Sequence, residues 1–386
     1  MYMRRDRDVL LGRLDPFRDS FSKPQWSHFR TYLGGLIYGE KGEKNISDIA
    51  DNMIYGRDQS CLNRFITQSK WNARRIDHIR QSEFIGNQKG GTLILDDTII
   101  EKWGKSIEGV GYFYDPSQKK NVFGHNIVST FYSNGECNIP MNFEFYIKKE
   151  MINELDVWFK TKIQLGIELI EKMLIRIQPE AVVFDAWYFS KELIRYLNAR
   201  HLTWVTMAKS NRLVFVGNQW CQLSEFWKTV PRDKFSRIDM EIDEKKFKWY
   251  YETTVTMKNA GVVKIVMLKK RRNSRKCTIL VSNNLELTGL QILKYYKTRW
   301  NIEVFYRDCK QHLGMGDYQT RKLDAVVKHL HLVFLAYTLL KNVWYSPSLQ
   351  RILKGIRRIG TACKRLKKYL FNTLTNNKNR YARAPS

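Results

Sequence analysis

Two short apolar runs in this chain each end in a carboxylate: Gly91-Thr92-Leu93-Ile94-Leu95-Asp96-Asp97 and Ala181-Val182-Val183-Phe184-Asp185. A short uninterrupted apolar run bounded by polar residues reads as a strand buried on both faces. Strands of that kind belong to sheets covered by helices on both sides, and open α/β sheets carry their chemistry at the C-terminal ends of strands. An Asp at such an end has no packing role. The two runs therefore predict an α/β core with an acidic site.

The segments around them support that class. Residues 122–132 and 139–147 are β-rich and are joined by Ser133-Asn134-Gly135, a hairpin signal. A helix is expected over about 157–176, ended by Pro179, and another over 191–200. Strand-like runs then recur at 202–207, 213–216, 247–257, 262–268 and 277–282, and the chain turns helical from about 289 to 312. The N-terminal part reads as helical: 26–38, a second helix opened by Ser47 as N-cap, a turn at Gly56, and a third at 58–67. Two short helices about a glycine turn suggest a helix-turn-helix. The expected organisation is a helical DNA-binding domain (1–88), an α/β core begun at 89–201, a β-rich insertion (202–288), a core helix (289–335) and a basic helical tail (336–386).

Charge narrows the partner. The chain carries 66 Lys and Arg against 38 Asp and Glu, a formal charge of +28. A body this basic attracts a polyanion, either nucleic acid or an anionic membrane surface. Residues 341–386 hold 12 basic and no acidic side chains, as a segment lying on phosphates would. The 11 Trp suit a folded body that also stacks on bases. The best apolar run, 330–340, is short for a membrane span and contains His331. The N-terminus alternates Arg and Asp and has no signal-peptide core, so a cytosolic protein without membrane partners is expected. Six scattered cysteines with no CxxC spacing support neither a zinc site nor a disulfide framework.

A third carboxylate lies in Tyr296-Lys297-Thr298-Arg299-Trp300-Asn301-Ile302-Glu303 and the residues that follow. On a single helix, Tyr296, Arg299, Glu303, Arg307 and Lys310 fall in one narrow stripe, opposite Ile302, Phe305 and Cys309. Salt bridges on a solvated face would give the same pattern. The two strand-end Asp favour another use: cations and a phenol holding a phosphodiester beside a carboxylate-bound metal. Asp97, Asp185 and Glu303, all hard oxygen donors, suit Mg²⁺, with Mn²⁺ able to substitute. A pair of such ions can activate an attacking oxygen and stabilise a leaving one.

These residues resemble the DDE-class insertion-sequence transposases, which have a ribonuclease-H-like catalytic core. One subgroup carries a Y-(2)-R-(3)-E-(6)-K signature, matched by Tyr296, Arg299, Glu303 and Lys310; "VVFDAWYFS" sits where the second Asp is expected, and the likeness covers about 91–335. The resemblance implies an α/β ribonuclease-H-like mixed sheet with a β-rich insertion and an N-terminal helical DNA-binding domain. It makes Asp97, Asp185 and Glu303 the catalytic metal ligands, Asp97 because the family's Asp directly precedes a Thr, here Thr98, with the neighbouring Asp96 as competitor. Tyr296, Arg299 and Lys310 would grip phosphates, with Arg307 beside them on the stripe as a further DNA contact, and Lys209 with Arg212 would touch DNA. Trp249 would stack on a flipped base if ends are cut through a hairpin, with Trp204, Trp220 and Trp227 as reserves. The partners implied are double-stranded DNA, both terminal inverted repeats and target, and a second copy of the chain in the synaptic complex, at the nucleoid of a prokaryotic cytoplasm.

His125 reads as a satisfied structural histidine, and Lys102 and Lys105 as possible phosphate contacts. Competing readings are another ribonuclease-H-like DNA endonuclease, a non-catalytic transposase-derived DNA-binding protein, and a basic ribosome or membrane-surface protein. The last leaves the three carboxylates unexplained.

Overall fold

A computed structural model describes residues 11–40, 42, 44–52, 58–86, 88–155, 157–342, 351–356 and 358–381. Helices α1 (Lys23–Tyr38), α2 (Ile46–Asn52), α3 (Gln59–Thr67) and α4 (Ala73–Phe84) come first. Strands β1 (Gln88–Lys89), β2 (Thr92–Glu101), β3 (Gly111–Asp115), β4 (Lys120–Ser133) and β5 (Asn138–Tyr146) follow. Next are α5 (Ile152–Leu155), α6 (Lys162–Leu174), β6 (Ile177–Gln178), β7 (Ala181–Phe184), α7 (Lys191–Ala199), β8 (Trp204–Ala208), β9 (Leu213–Val216), β10 (Gln219–Gln222) and α8 (Leu223–Thr229). The chain then runs through β11 (Ser236–Ile242), β12 (Lys245–Met257), β13 (Gly261–Lys269), β14 (Thr278–Ser282), α9 (Gly289–Lys297), α10 (Trp300–His312), α11 (Leu323–Asn342) and α12 (Ile359–Tyr381). It divides into two compact units, one of residues 1–86, 99–125 and 305–386, the other of 87–98 and 126–304.

The second unit is built on a mixed sheet. The strand order runs β10-β9-β12-β13-β14-β8-β7-β2-β4, with β11 beside β12 and β5 beside β4. β2, β7 and β8 are parallel, and β14 runs antiparallel to β8, so the strands after residue 202 extend the core sheet without a break. The apolar runs that predicted buried strands are buried: Leu93, Ile94, Leu95, Val182, Val183 and Phe184 are fully enclosed. The β4–β5 hairpin closes through Asn134–Cys137, a loop in which the Asn134 side chain accepts from Glu136 N and Cys137 N. Gly91 has φ +68°, and a Cβ there would lie 2.6 Å from the Ser133 carbonyl, so only glycine fits that approach. Helix α6 begins later than the apolar pattern suggested, because Thr161 and Gln164 form a reciprocal capping box.

The first unit is a helical body. α1 starts from a Ser22/Gln25 capping box, and α11 packs on α1, α3 and α4. At α2, Asn45 rather than Ser47 accepts from the first-turn amide, Asp48 N at 3.0 Å; Gly56 lies outside the described residues. The apolar stretch 330–340 is part of a longer helix than expected: α11 is long and apolar enough to cross a membrane, but most of it is buried inside the protein. Its polar side chains face partners. His329 Nε2 donates to the Gly314 carbonyl at 2.8 Å, which fixes the tautomer, so Nδ1 accepts from the Tyr32 hydroxyl at 2.8 Å. His125 repeats the device, donating from Nε2 to Glu108 O at 2.8 Å and accepting from the Tyr318 hydroxyl at 2.6 Å. Lys102 is not a phosphate contact: its ammonium is buried and donates to the carbonyls of Gly316 and Tyr318 at 2.6 and 2.5 Å.

Burial lowers the His125 pKa to about 4 and that of His329 to about 3, against an ordinary value near 6.5. The unfolded chain therefore takes up two protons below pH ~6.5 that the folded chain refuses, and stability falls as the solution is acidified through that window. We expect the thermal midpoint to drop steadily from pH 7 to pH 4.5, each site contributing up to roughly 1.4 kcal/mol per pH unit. A scanning-fluorimetry profile that stays flat or rises over this range contradicts the assignment.

Candidate active site

Strand register brings the first carboxylates together. In the parallel β2–β7 pair Leu95 lies opposite Phe184, so the next residues, Asp96 and Asp185, stand abreast at the strand ends. Successive side chains on a strand point to opposite faces. The Asp97 carboxylate accepts from Lys162 Nζ at 2.6 Å, Asn126 Nδ2 at 3.0 Å and the Tyr188 hydroxyl at 3.0 Å. Asp96 turns the other way, with Arg299 Nη1 at 3.8 Å from its Oδ2. Asp185 is fixed by the turn after β7, accepting from Trp187 N at 2.8 Å and Tyr188 N at 3.2 Å.

The third carboxylate arrives through Arg299. Its Nη1 lies 2.5 Å from Glu303 Oε1 and its Nη2 2.9 Å from Asp243 Oδ2. Asp243 carries no sequence signal: it becomes a site residue only because the two-residue turn Asp243-Glu244, both at positive φ, ends the β11–β12 hairpin beside Arg299. Arg299 Nε and Asp243 Oδ1 are buried without a hydrogen-bond partner among the described residues.

The expected single helix over 289–312 is divided. The Thr298 hydroxyl donates to Tyr295 O at 2.7 Å and pairs with Thr92 Oγ1 at 2.8 Å, while Asn301 Nδ2 reaches Ser133 Oγ. These bonds to the strands stop α9 and restart the chain as α10, so a continuous helical wheel does not describe the stripe. Tyr296 is 1 % exposed and lies under the Arg299 guanidinium, 5.6 Å from its ring centroid, which makes it a support for the cation. Glu303 stays about a third exposed. Arg307 and Lys310 belong to the other unit; Arg307 is exposed, and Lys310 Nζ donates to Ile99 O at 2.7 Å. Lys209 is exposed, and half-buried Arg212 lies 4.1 Å over the Phe189 ring and donates to the Phe189 carbonyl. Trp249 is half-buried under Arg272, Trp204 is fully buried, Trp227 is partly buried and Trp220 is exposed.

The electrostatics are those of carboxylates crowded in a partly buried site. Burial first, then Asp185 and Asp97, push Asp96 well above the ordinary carboxylate range. Burial also raises Asp185 and Glu303, against the pull of Arg299. Burial disfavours the Arg299 cation, yet Tyr296, Asp243, Glu303 and Asp96 outweigh it. Among the described residues, no three His, Cys, Asp or Glu side chains are close enough to hold one metal ion. Arg299 and Lys162 pair with Glu303 and Asp97.

Two family comparisons bear on this geometry. The family described as DDE superfamily endonuclease matches residues 16–222, just over half of the chain, and the transposase DDE domain matches 160–339. The chain belongs to the DDE transposase family. Individually curated proteins give no match. The second family match spans Asp185, Tyr296, Arg299 and Glu303, and the first spans Asp96, Asp97 and Asp185. A divalent cation is general to this family, and a transposase acts on DNA, in keeping with the +28 charge.

Arg299 holds the carboxylates of this transposase together. Replacing it with Gln leaves Asp96, Asp243 and Glu303 without their shared cation. The expected loss is on the order of 2–3 kcal/mol, below the full range for breaking a buried pair because Glu303 is partly solvated. Acid neutralises the uncompensated carboxylates, so the loss is larger at pH 8 than at pH 5. Urea unfolding of R299Q at both pH values tests this; an equal or larger deficit at pH 5 contradicts it.

Proposed function

We propose that this transposase cuts the ends of an insertion sequence and joins them to target DNA by metal-assisted phosphoryl transfer, with Asp97, Asp185 and Glu303 as its carboxylates. The observation that carries the reading is that the end of β2 stands abreast of Asp185 and that Asp96, at that end, shares the Arg299 guanidinium with Glu303. The oxygen-only donor set fits a hard divalent ion, and such an ion would offset the burial, and with it the neighbouring carboxylates, that raise Asp96 and Asp185. Asp97, Asp185 and Glu303 would hold Mg²⁺ or Mn²⁺, which when bound polarises the phosphate and activates the attacking oxygen.

The chain's own residues then have distinct tasks. Arg299 presents a fork suited to phosphate oxygens, and DNA phosphate would take the place that Asp243 and Glu303 hold. Tyr296 fixes that fork from below. Arg307, Lys310, Lys209 and Arg212 supply positive charge to the DNA backbone. The helices of residues 1–88, with α2 and α3 as a helix-turn-helix pair, bind the terminal repeats, and the basic tail lies on phosphate. Cleavage is cut-and-paste through a DNA hairpin in a synaptic complex of two copies; the resemblance gives the flipped base to Trp249, which lies half-buried under Arg272.

One observation favours Asp96 over Asp97 as the first ligand: Asp96 shares Arg299 with Glu303, whereas Asp97 is bound by Lys162, Asn126 and Tyr188. The experiment incubates purified protein and Mg²⁺ with a duplex carrying the DNA that flanks its gene, with breaks mapped to the nucleotide. E303Q and D185N should lose all cleavage and keep DNA affinity. Of D96N and D97N, the one replacing the ligand should fall at least about a thousandfold, and the other far less. Cleavage by E303Q at wild-type rates, or cuts unrelated to the repeats, would sink the proposal.

A further inference from the structure

Trp187 is 50 % exposed and stands two residues beyond Asp185. An exposed tryptophan alone is unremarkable. This one is mounted. Its backbone N–H donates to Asp185, and its ring meets the Tyr188 ring edge-on at 4.9 Å between centroids. Tyr188 is fully buried and donates its hydroxyl to Asp97. Lys162 Nζ, ion-paired to Asp97, lies 5.2 Å from the Trp187 ring centroid and 5.5 Å from that of Tyr146. At the other end of the same turn, Arg212 covers Phe189. One turn thus ties an outward indole to two of the candidate carboxylates, with a cation at each end.

An exposed tryptophan with a lysine beside its ring, on a turn whose next aromatic is covered by an arginine, matches single-stranded nucleic acid, where bases stack on aromatics and phosphates meet Lys or Arg. The rings named for stacking from sequence are less suited: Trp204 is fully buried, and Trp249 is half-buried beneath Arg272. We propose that Trp187 is a base-stacking platform of the active site, taking an unpaired nucleobase of the strand whose phosphate lies at Asp185, with Lys162 and Arg212 on the neighbouring phosphates. The stacked base sets which phosphate stands at the carboxylates, so Trp187 is a positioning residue. This rests on the reading of Asp185 as part of the transposase active site.

The test uses the full-length protein and its own flanking DNA as two probes, one fully paired and one frayed by mismatches at the cleavage junction. Binding is measured in EDTA. W187A should lose affinity for the frayed probe about tenfold and hold its affinity for the paired one, while W187F keeps most of both. With 5-iodouracil at successive junction positions, irradiation should crosslink one position to Trp187, identified by mass spectrometry. In Mg²⁺, W187A should spread its cuts over neighbouring phosphates. W187A that binds the frayed probe as wild type does, or crosslinks that map to Trp249 instead, overturns the platform. W187F guards against misfolding: loss of both affinities in W187F as well as W187A also counts against a stacking role. E303Q separates the two readings. If E303Q still cuts, the active-site reading and the platform fall together; if it is inactive and W187A binds normally, the platform alone falls.

Discussion

One guanidinium decides the resting arrangement of this site. Three carboxylates from three places in the chain, a strand end (Asp96), a hairpin turn (Asp243) and a helix (Glu303), would repel one another in a partly buried space. Arg299 is 8 % exposed at its side chain and reaches all three. An always-charged fork suits this task as a lysine would not, because its two terminal nitrogens serve different carboxylates from one rigid plane. Tyr296 beneath it and the Thr298 break before α10 set where that plane lies. The side chain proposed to grip DNA phosphate is therefore also a structural centre of the site.

The sheet supplies the other half. Lateral pairing of β2 with β7 puts Asp96 abreast of Asp185, and strand alternation sends Asp96 and Asp97 to opposite faces. Asp97 consequently has its own set of partners in Lys162, Asn126 and Tyr188. The turn after β7 holds Asp185 with backbone amides and the same turn carries Tyr188, so the strand-end carboxylates are cross-wired through a few residues. Glu252 anchors the start of α9 by accepting from Gly289 N, which ties the helix bearing Tyr296 to a strand of the same sheet.

The helical unit keeps its polar groups by a different rule. Two of its buried histidines, His125 and His329, are neutral, each donating to a carbonyl and accepting from a tyrosine. Arg80 is fully buried against Asp77 and Thr338. Such groups are tolerable inside a protein only when nearly every donor and acceptor is matched. They allow α11, apolar enough to be mistaken for a membrane span, to pack as a core helix.

Local pattern by itself determined the buried strands ending in Asp, the β4–β5 hairpin, the later run of strands and the helices flanking them. These follow from apolar periodicity and turn chemistry, which act between near neighbours. Their spacing along the chain likewise singled out Arg299 and Glu303 as candidates. Only tertiary structure decided the rest. Strand register lined up Asp96 with Asp185, a choice made by pairing across some ninety residues of chain that no local rule encodes. Bonds from Thr298 and Asn301 to distant strands cut one expected helix in two. Asp243 became part of the site because a hairpin of the long β segment ends there, and Trp187 because a turn mounted it beside the carboxylates. Lys102 read as a surface cation and proved to be a buried donor to two carbonyls, since charge in a sequence says nothing of which backbone will fold over it.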